Sequence, residues 1–226
     1  MTGISSTRVL IADDHAAIRA GITMMLEPAA GIEVVGEAAD GDEAVVAADE
    51  LRADVALMDV RMPGTDGIAA TDRIVRAGSC RVIVLTTFDL DDYVFGALRV
   101  GASGFLLKTA SAEAIIEAVR AVARGDAALA PEVTRRVLES FRGSGGPNLA
   151  ARVSSASSLH APIDDLTQRE RDVLRCLGAG MTNVDIATSL FITEATVKTH
   201  VSRVLMKLDV RSRVQAAILA RENGEV

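Results

Sequence analysis

Apolar residues fall along the first half of the chain in short blocks, at 8–12, 33–38, 55–58, 81–86 and 104–107. A stretch of helical period follows each of them. After the first block Ile18, Ile22, Met25 and Leu26 recur at the spacing of one helix face. After the last, Ile115, Val119 and Val122 do the same, and Gly125 supplies a stop. Five strand–helix units, spaced by roughly 20–25 residues, predict an α/β fold with a doubly wound, five-stranded parallel sheet. Ligands of such sheets bind beyond the carboxyl ends of the strands. The residues just after each apolar block are therefore the ones to inspect for chemistry.

The pattern changes past residue 124. A helix is predicted over 131–141, with Pro131 in its first turn. Residues 143–162 are rich in Gly, Ser and Ala and poor in large apolar side chains, as a flexible linker is. Beyond them the period is helical throughout. Thr167 and Glu170 form a capping-box pair ahead of Val173, Leu174 and Leu177, and Gly178 and Gly180 end that helix. Thr182 caps a short helix over 183–190, and Phe191-Ile192 makes the turn to a third, capped by Thr193. A fourth covers 213–221. The division predicted is an α/β domain over 1–124, a linker helix and flexible linker over 125–162, and an all-α four-helix domain over 163–226.

Charge is distributed unevenly between these parts. The chain has 24 Lys+Arg against 31 Asp+Glu, a net charge of −7. All of that excess lies in 1–162, with fifteen basic and twenty-two acidic residues, whereas 163–226 balances at nine and nine. Five of the latter nine cations fall between Thr196 and Arg213, beside one acid. An acidic body followed by a neutral tail with a basic segment suggests a nucleic-acid contact confined to the tail. Aromatic residues at 3% are too few for a base-stacking platform. Cys80 and Cys176 form no CxxC pair, which argues against a disulfide framework and a zinc site. The N-terminus reads as a first strand and no apolar run reaches membrane-spanning length, so a cytoplasmic protein without membrane contact is expected.

Strand ends carry the candidate chemistry. The first block runs into Asp13-Asp14, the third into Asp59, the fourth into Thr86 and the fifth into Lys108. On adjacent parallel strands the three carboxylates converge, and like charges so placed raise one another's pKa unless a counter-charge intervenes. A hard divalent cation with oxygen ligands, Mg²⁺, meets that need. Taken singly, an Asp after a strand is most often a cap or turn residue. The coincidence of acid pair, lone acid, hydroxyl and ammonium on four strand ends points instead to phosphoryl transfer. A carboxylate is a competent nucleophile for an aspartyl phosphate.

These residues sit in segments that resemble a known family. Val55-Ala56-Leu57-Met58-Asp59-Val60-Arg61-Met62-Pro63-Gly64 is similar to the phosphoacceptor segment of bacterial response-regulator receivers. So are Asp13-Asp14, Val84-Leu85-Thr86 and Gly101-Ala102-Ser103-Gly104-Phe105-Leu106-Leu107-Lys108. Leu166-Thr167-Gln168-Arg169-Glu170-Arg171 through Glu194-Ala195-Thr196-Val197-Lys198-Thr199-His200-Val201-Ser202 resembles LuxR-type helix-turn-helix domains. Together they resemble the NarL/FixJ class of two-domain transcriptional regulators. The resemblance implies that Asp59 takes a phosphoryl group from a histidine kinase or a small phosphodonor. It implies Mg²⁺ ligands in Asp14, Asp59 and the carbonyl of Arg61, with Asp13 acting through water. Thr86 and Lys108 would contact the phosphoryl oxygens, and Phe105 would be the aromatic that changes position with Thr86. Thr109 departs from the family, where Pro often follows the lysine.

In the tail, Val197, Val201, Val204, Leu205 and Leu208 share one face of the third helix, and Thr199, Ser202, Arg203 and Met206 lie opposite. A polar, basic face on an anchored helix suits the major groove of double-stranded DNA. The resemblance implies base contacts from Lys198, Thr199 and Ser202. Arg203, Lys207, Thr193 and Thr196 are expected at phosphates. Val214, Ala217 and Ile218 give the last helix more apolar surface than one face needs, which suggests a homodimer formed on phosphorylation. RNA polymerase is a further expected partner. Of the other functions considered, a Mg²⁺-dependent phosphohydrolase lacks a second acid in Asp59-Val60-Arg61. A phosphorylation-independent binding module would have no need of the acid pair or the lysine. Arg61 and Phe88, each two residues past a phosphate-contacting position, are expected to set the lifetime of the phosphoryl group.

Overall fold

The computed structural model describes residues 6–86, 91–129 and 163–225. Phe88, the helix expected over 131–141, the linker over 143–162 and His160 lie outside the described residues. Six parallel strands, β1 (Thr7–Ala12), β2 (Ile32–Ala38), β3 (Val55–Asp59), β4 (Arg81–Thr86), β5 (Gly104–Leu107) and β6 (Ala128–Leu129), form one sheet in the order β2-β1-β3-β4-β5-β6. Helices α1 (Ala16–Leu26), α2 (Gly41–Glu50), α3 (Gly67–Ala77), α4 (Asp91–Val100) and α5 (Ala112–Arg124) make the crossovers. The order places strands on both sides of β1, as a doubly wound sheet requires.

One strand more is present than the five expected. β6 is two residues long and pairs Gly104 with Ala128 and Phe105 with Leu129. Ala128-Leu129 has too few residues to show a period, and it becomes a strand because the edge of β5 offers it unpaired backbone groups. The five longer strands follow from their composition. β3 is buried at every position, which its unbroken Val-Ala-Leu-Met run anticipates for a strand covered on both faces. Helix starts are fixed by Asp40, Asp66 and Ser111, whose side chains accept from the third backbone N–H of α2, α3 and α5. Gly78 and Gly125 end α3 and α5 in the left-handed conformation.

The C-terminal unit opens with a short 3₁₀ turn (Ile163–Asp165), followed by α6 (Gln168–Gly178), α7 (Asn183–Leu190), α8 (Glu194–Lys207) and α9 (Arg213–Glu222). Reciprocal capping boxes start α6 at Thr167, α7 at Thr182 and α9 at Ser212. Val173, Leu174, Leu177, Ile186, Val197, Val201 and Val204 form its core. The apolar side of α9 is divided. Ala216 and Ala220 belong to this core, whereas Val214 and Ile218 pack into the core of the α/β unit. Among the described residues no helix is long and apolar enough to cross a membrane.

Candidate functional site

Register brings the strand ends level. Asp59 is aligned with Leu85, and Thr86 with Leu107, so Asp13, Asp59, Thr86 and Lys108 lie along one sheet edge. Lys108 Nζ sits 2.6 Å from Asp13 Oδ2 and 2.8 Å from Asp59 Oδ2, bridging the first and third strand ends. The backbone N–H of Lys108 donates to the Thr86 carbonyl at 2.8 Å, which ties the fifth strand end to the fourth. Behind Asp59 the chain returns very closely. A Cβ on Gly67 would lie 1.8 Å from the Asp59 carbonyl oxygen, so glycine alone fits there.

Burial raises the Asp59 carboxyl pKa, opposed by the Lys108 ammonium and the Arg61 backbone N–H. Burial also works against the Lys108 charge, but Asp13 and Asp59 prevail and hold its pKa above the ordinary lysine value. Asp14 turns outward, where His15 Nδ1 lies 2.6 Å from its Oδ1, while the His15 backbone N–H donates to Asp13 Oδ1 at 2.9 Å. Asp13, Asp14 and His15 each present a donor atom within 4.8 Å of the others. Asp13, Asp14 and Asp59 against one ammonium leave two negative charges. A hard divalent cation offsets that excess, and carboxylate oxygens are the donors it prefers, so these residues fit Mg²⁺. Phe105 is fully buried on β5, aligned with Val84, two residues before Thr86.

A second surface lies on α8. Lys198, Thr199, Ser202 and Arg203 are exposed. The Thr199 and Ser202 hydroxyls donate to the carbonyls of Ala195 and Lys198, four residues back. Thr193 caps α8, and its hydroxyl lies 2.8 Å from that of Thr196. Lys207 flanks this face at the last turn of α8 and is partly buried. Its ammonium is 2.7 Å from Glu170 Oε2 and 3.2 Å from the Asp165 carbonyl, so its charge is matched inside the domain.

That pair gives a pH prediction. The Lys207 ammonium, with the Thr167 N–H, pulls the Glu170 carboxyl down to about 2. A pKa depressed in the folded state adds stability that is complete above the unfolded carboxylate value, about 4.3, and is lost as pH falls toward 2. Urea unfolding followed by circular dichroism should therefore show Glu170→Gln costing about 1–2 kcal/mol at pH 7 and almost nothing near pH 2. An equal cost at both pH values refutes the pairing.

Val214 and Ile218 are 5% and 4% exposed, covered by the α/β unit, and Ala217 is half-buried beside them. Polar contacts lock the same junction. Gln215 Nε2 donates to the Leu98 and Arg99 carbonyls at the end of α4, at 2.9 and 2.8 Å. Arg213 Nη1 donates to Asp126 Oδ1 and to the Gly125 carbonyl, both at 2.8 Å, and Nη2 to Met181 O at 2.7 Å. The Asn183 N–H donates to the same Asp126 oxygen at 3.0 Å, and its side-chain amide to Arg124 O at 3.1 Å. Arg211 pairs with Asp72 of α3 at 2.6 Å. Donors from the C-terminal unit thus satisfy the last carbonyls of both α4 and α5, where a helix leaves acceptors and partial negative charge.

Residues 9–120 match the response regulator receiver domain family, and residues 164–220 match the luxR family of bacterial regulatory proteins. The transcriptional regulatory protein LiaR of Bacillus subtilis is 44% identical over 217 residues, covering 96% of this chain and 97% of that protein. The chain belongs to the NarL/FixJ class of response regulators. Its receiver is the α/β unit, and its LuxR-type DNA-binding domain is the helical one. The crystal structure of the response regulator ChrA, from a heme-sensing two-component system, matches with a TM-score of 0.53. Its identity is 36%, over 98% of this chain and 100% of that one. The response regulator RcsB in complex with DNA matches at 27% identity and a TM-score of 0.53, over 96% and 98% of the two chains.

Sequence reasoning missed the residues that join receiver to DNA-binding domain. Asp126 and Asn183 carry no pattern of their own, and 87 positions separate Asp126 from Arg213. A signal did exist for His15, which directly follows the acid pair.

Proposed function

We propose that this response regulator is switched at dimerisation, by a phosphoryl group on Asp59. The observation that carries the reading is the cover over Val214 and Ile218, which the receiver supplies while Lys198, Thr199, Ser202 and Arg203 stay exposed. The docked receiver hides the face a second copy would need and leaves the DNA face bare.

An Asp59 carboxylate oxygen attacks the phosphorus of a phosphohistidine or acyl phosphate. The new P–O bond replaces the donor's bond, and the donor's group leaves with its electron pair. Asp14, Asp59 and the Arg61 carbonyl, with Asp13 behind, would hold Mg²⁺, which when bound would supply charge neutralisation for the phosphoryl oxygens. Lys108 exchanges its contact with Asp59 for one with the phosphoryl group, and the Thr86 hydroxyl donates to another of its oxygens. Movement of Thr86 opens space toward which Phe105 turns. β5 and the end of α4 shift with it, and the Leu98 and Arg99 carbonyls lose their alignment with Gln215. α9 is then released to pair with a second copy. Lys198, Thr199 and Ser202 read base edges, and Arg203, Thr193 and Thr196 contact phosphates, in each of two half-sites. A sensor histidine kinase is the physiological donor, transcription is the output, and the protein acts in the cytoplasm.

The test is the mass of the full chain by light scattering, with a small acyl phosphate and Mg²⁺. Conversion from monomer to dimer, prevented by a chelator, is expected. Stoichiometric labelling that leaves a monomer overturns the reading.

A further inference from the structure

Among the described residues of the DNA-binding domain, Phe191 combines two unusual features, a left-handed backbone, which Asp209 shares, and a bare aromatic side chain. Its backbone is left-handed, with φ 54° and ψ 46°, and its side chain is 94% exposed. The turn it occupies is a Schellman motif. The Ile192 N–H donates to Ala187 O at 3.0 Å and the Phe191 N–H to Thr188 O at 3.4 Å, closing the end of α7. Glycine is the usual residue at this position because a Cβ crowds the left-handed conformation, and α3 and α5 of this chain end on Gly78 and Gly125. Phe191 therefore strains the backbone, contributes nothing to the core and presents a bare aromatic ring to water. Such a combination is retained where the side chain has something to touch.

The backbone that carries the ring is held on both sides. Leu190 and Ile192 on either side are partly buried against the apolar core, and Arg169 Nη2 of α6 clamps the Leu190 carbonyl at 2.5 Å. Phe191 stands two residues before Thr193, the cap of α8. In a helix-turn-helix the start of the second helix enters the major groove, which brings the preceding turn to the groove's rim. Sugars and phosphates line that rim. The receiver does not compete for it, because Asn183, the α7 residue bound to Asp126, lies at the opposite end of that helix.

We infer that Phe191 packs its ring on the deoxyribose backbone at the groove edge, with the Arg169 guanidinium alongside as the complement to phosphate. This rests on the DNA-binding role of α8 and adds to it an apolar contact that reads no sequence. The ring carries no charge, so its contribution is independent of salt.

The experiment compares full-length Phe191→Gly, Phe191→Asn and Arg203→Ala on a random-sequence DNA duplex across a salt series. Glycine and asparagine both accept the left-handed backbone, so the unfolding midpoint should hold or rise. Affinity should nevertheless fall about tenfold, the equivalent of about 1.4 kcal/mol or about 55 Å² of buried apolar surface. The slope of log affinity against log salt should match the parent, whereas Arg203→Ala should reduce it by about one. Parental affinity in both Phe191 variants with a weakened Arg203→Ala overturns the Phe191 contact and leaves the α8 face standing. Parental affinity in all three overturns both.

Discussion

Asp59→Asn is expected to take up no phosphoryl group from an acyl phosphate, with mass spectrometry of the intact chain as the measurement. The substitution keeps shape and size, and Lys108 keeps its 2.6 Å contact with Asp13, so the site remains assembled. What it loses is the nucleophile, since an amide oxygen does not form a stable phosphoryl ester as a carboxylate does. It also removes one of the three charges that suit a divalent cation. Mg²⁺ affinity by titration calorimetry should fall at least about tenfold. A label persisting at full stoichiometry would move the acceptor to another residue.

Asp126→Ala should have the opposite effect on output. Arg213 is 9% exposed, and Asp126 is the carboxylate it meets in the docked state. Loss of that partner leaves a guanidinium buried against carbonyls alone, at a cost of about 3 kcal/mol. The cost falls on the docked form only, because Arg213 is solvated once the domains part. About a hundredfold shift toward the undocked form follows. Because both copies must undock before they pair, the unphosphorylated variant should dimerise and occupy paired half-sites at concentrations at least about a hundredfold lower than the parent, while Asp59 still accepts a phosphoryl group. A variant that stays monomeric at those concentrations shows that the Arg213–Asp126 pair does not hold the domains together.

How much of this is legible in the sequence depends on the range of the interaction. β3 announces itself because four consecutive apolar residues suit a strand covered on both faces. Thr167, Thr182 and Thr193 mark helix starts because a cap and its partner are three residues apart. The acid edge follows as well, since parallel strands must bring their ends level. Contacts between distant surfaces are a different matter. Val214 and Ile218 signal that something covers α9, but an apolar surplus carries no address, and here the cover is the receiver. Lys207 reads from the sequence as a phosphate contact at the end of α8, and only folding brings Glu170, 37 positions away, against it. β6 is too short for any period to reveal it.

The bare reading face of α8 bears on how the regulator finds its targets. A monomer with its receiver docked can rest on the chromosome through phosphate contacts alone, weakly and without regard to sequence. Signalling then need not bring the protein to DNA. In the proposed switch it would change the stoichiometry of molecules already there, and two released copies would meet by sliding along one duplex instead of by diffusing through the cell volume. Response time would then be a property of one-dimensional search, set by how densely the unphosphorylated protein covers the DNA around its sites.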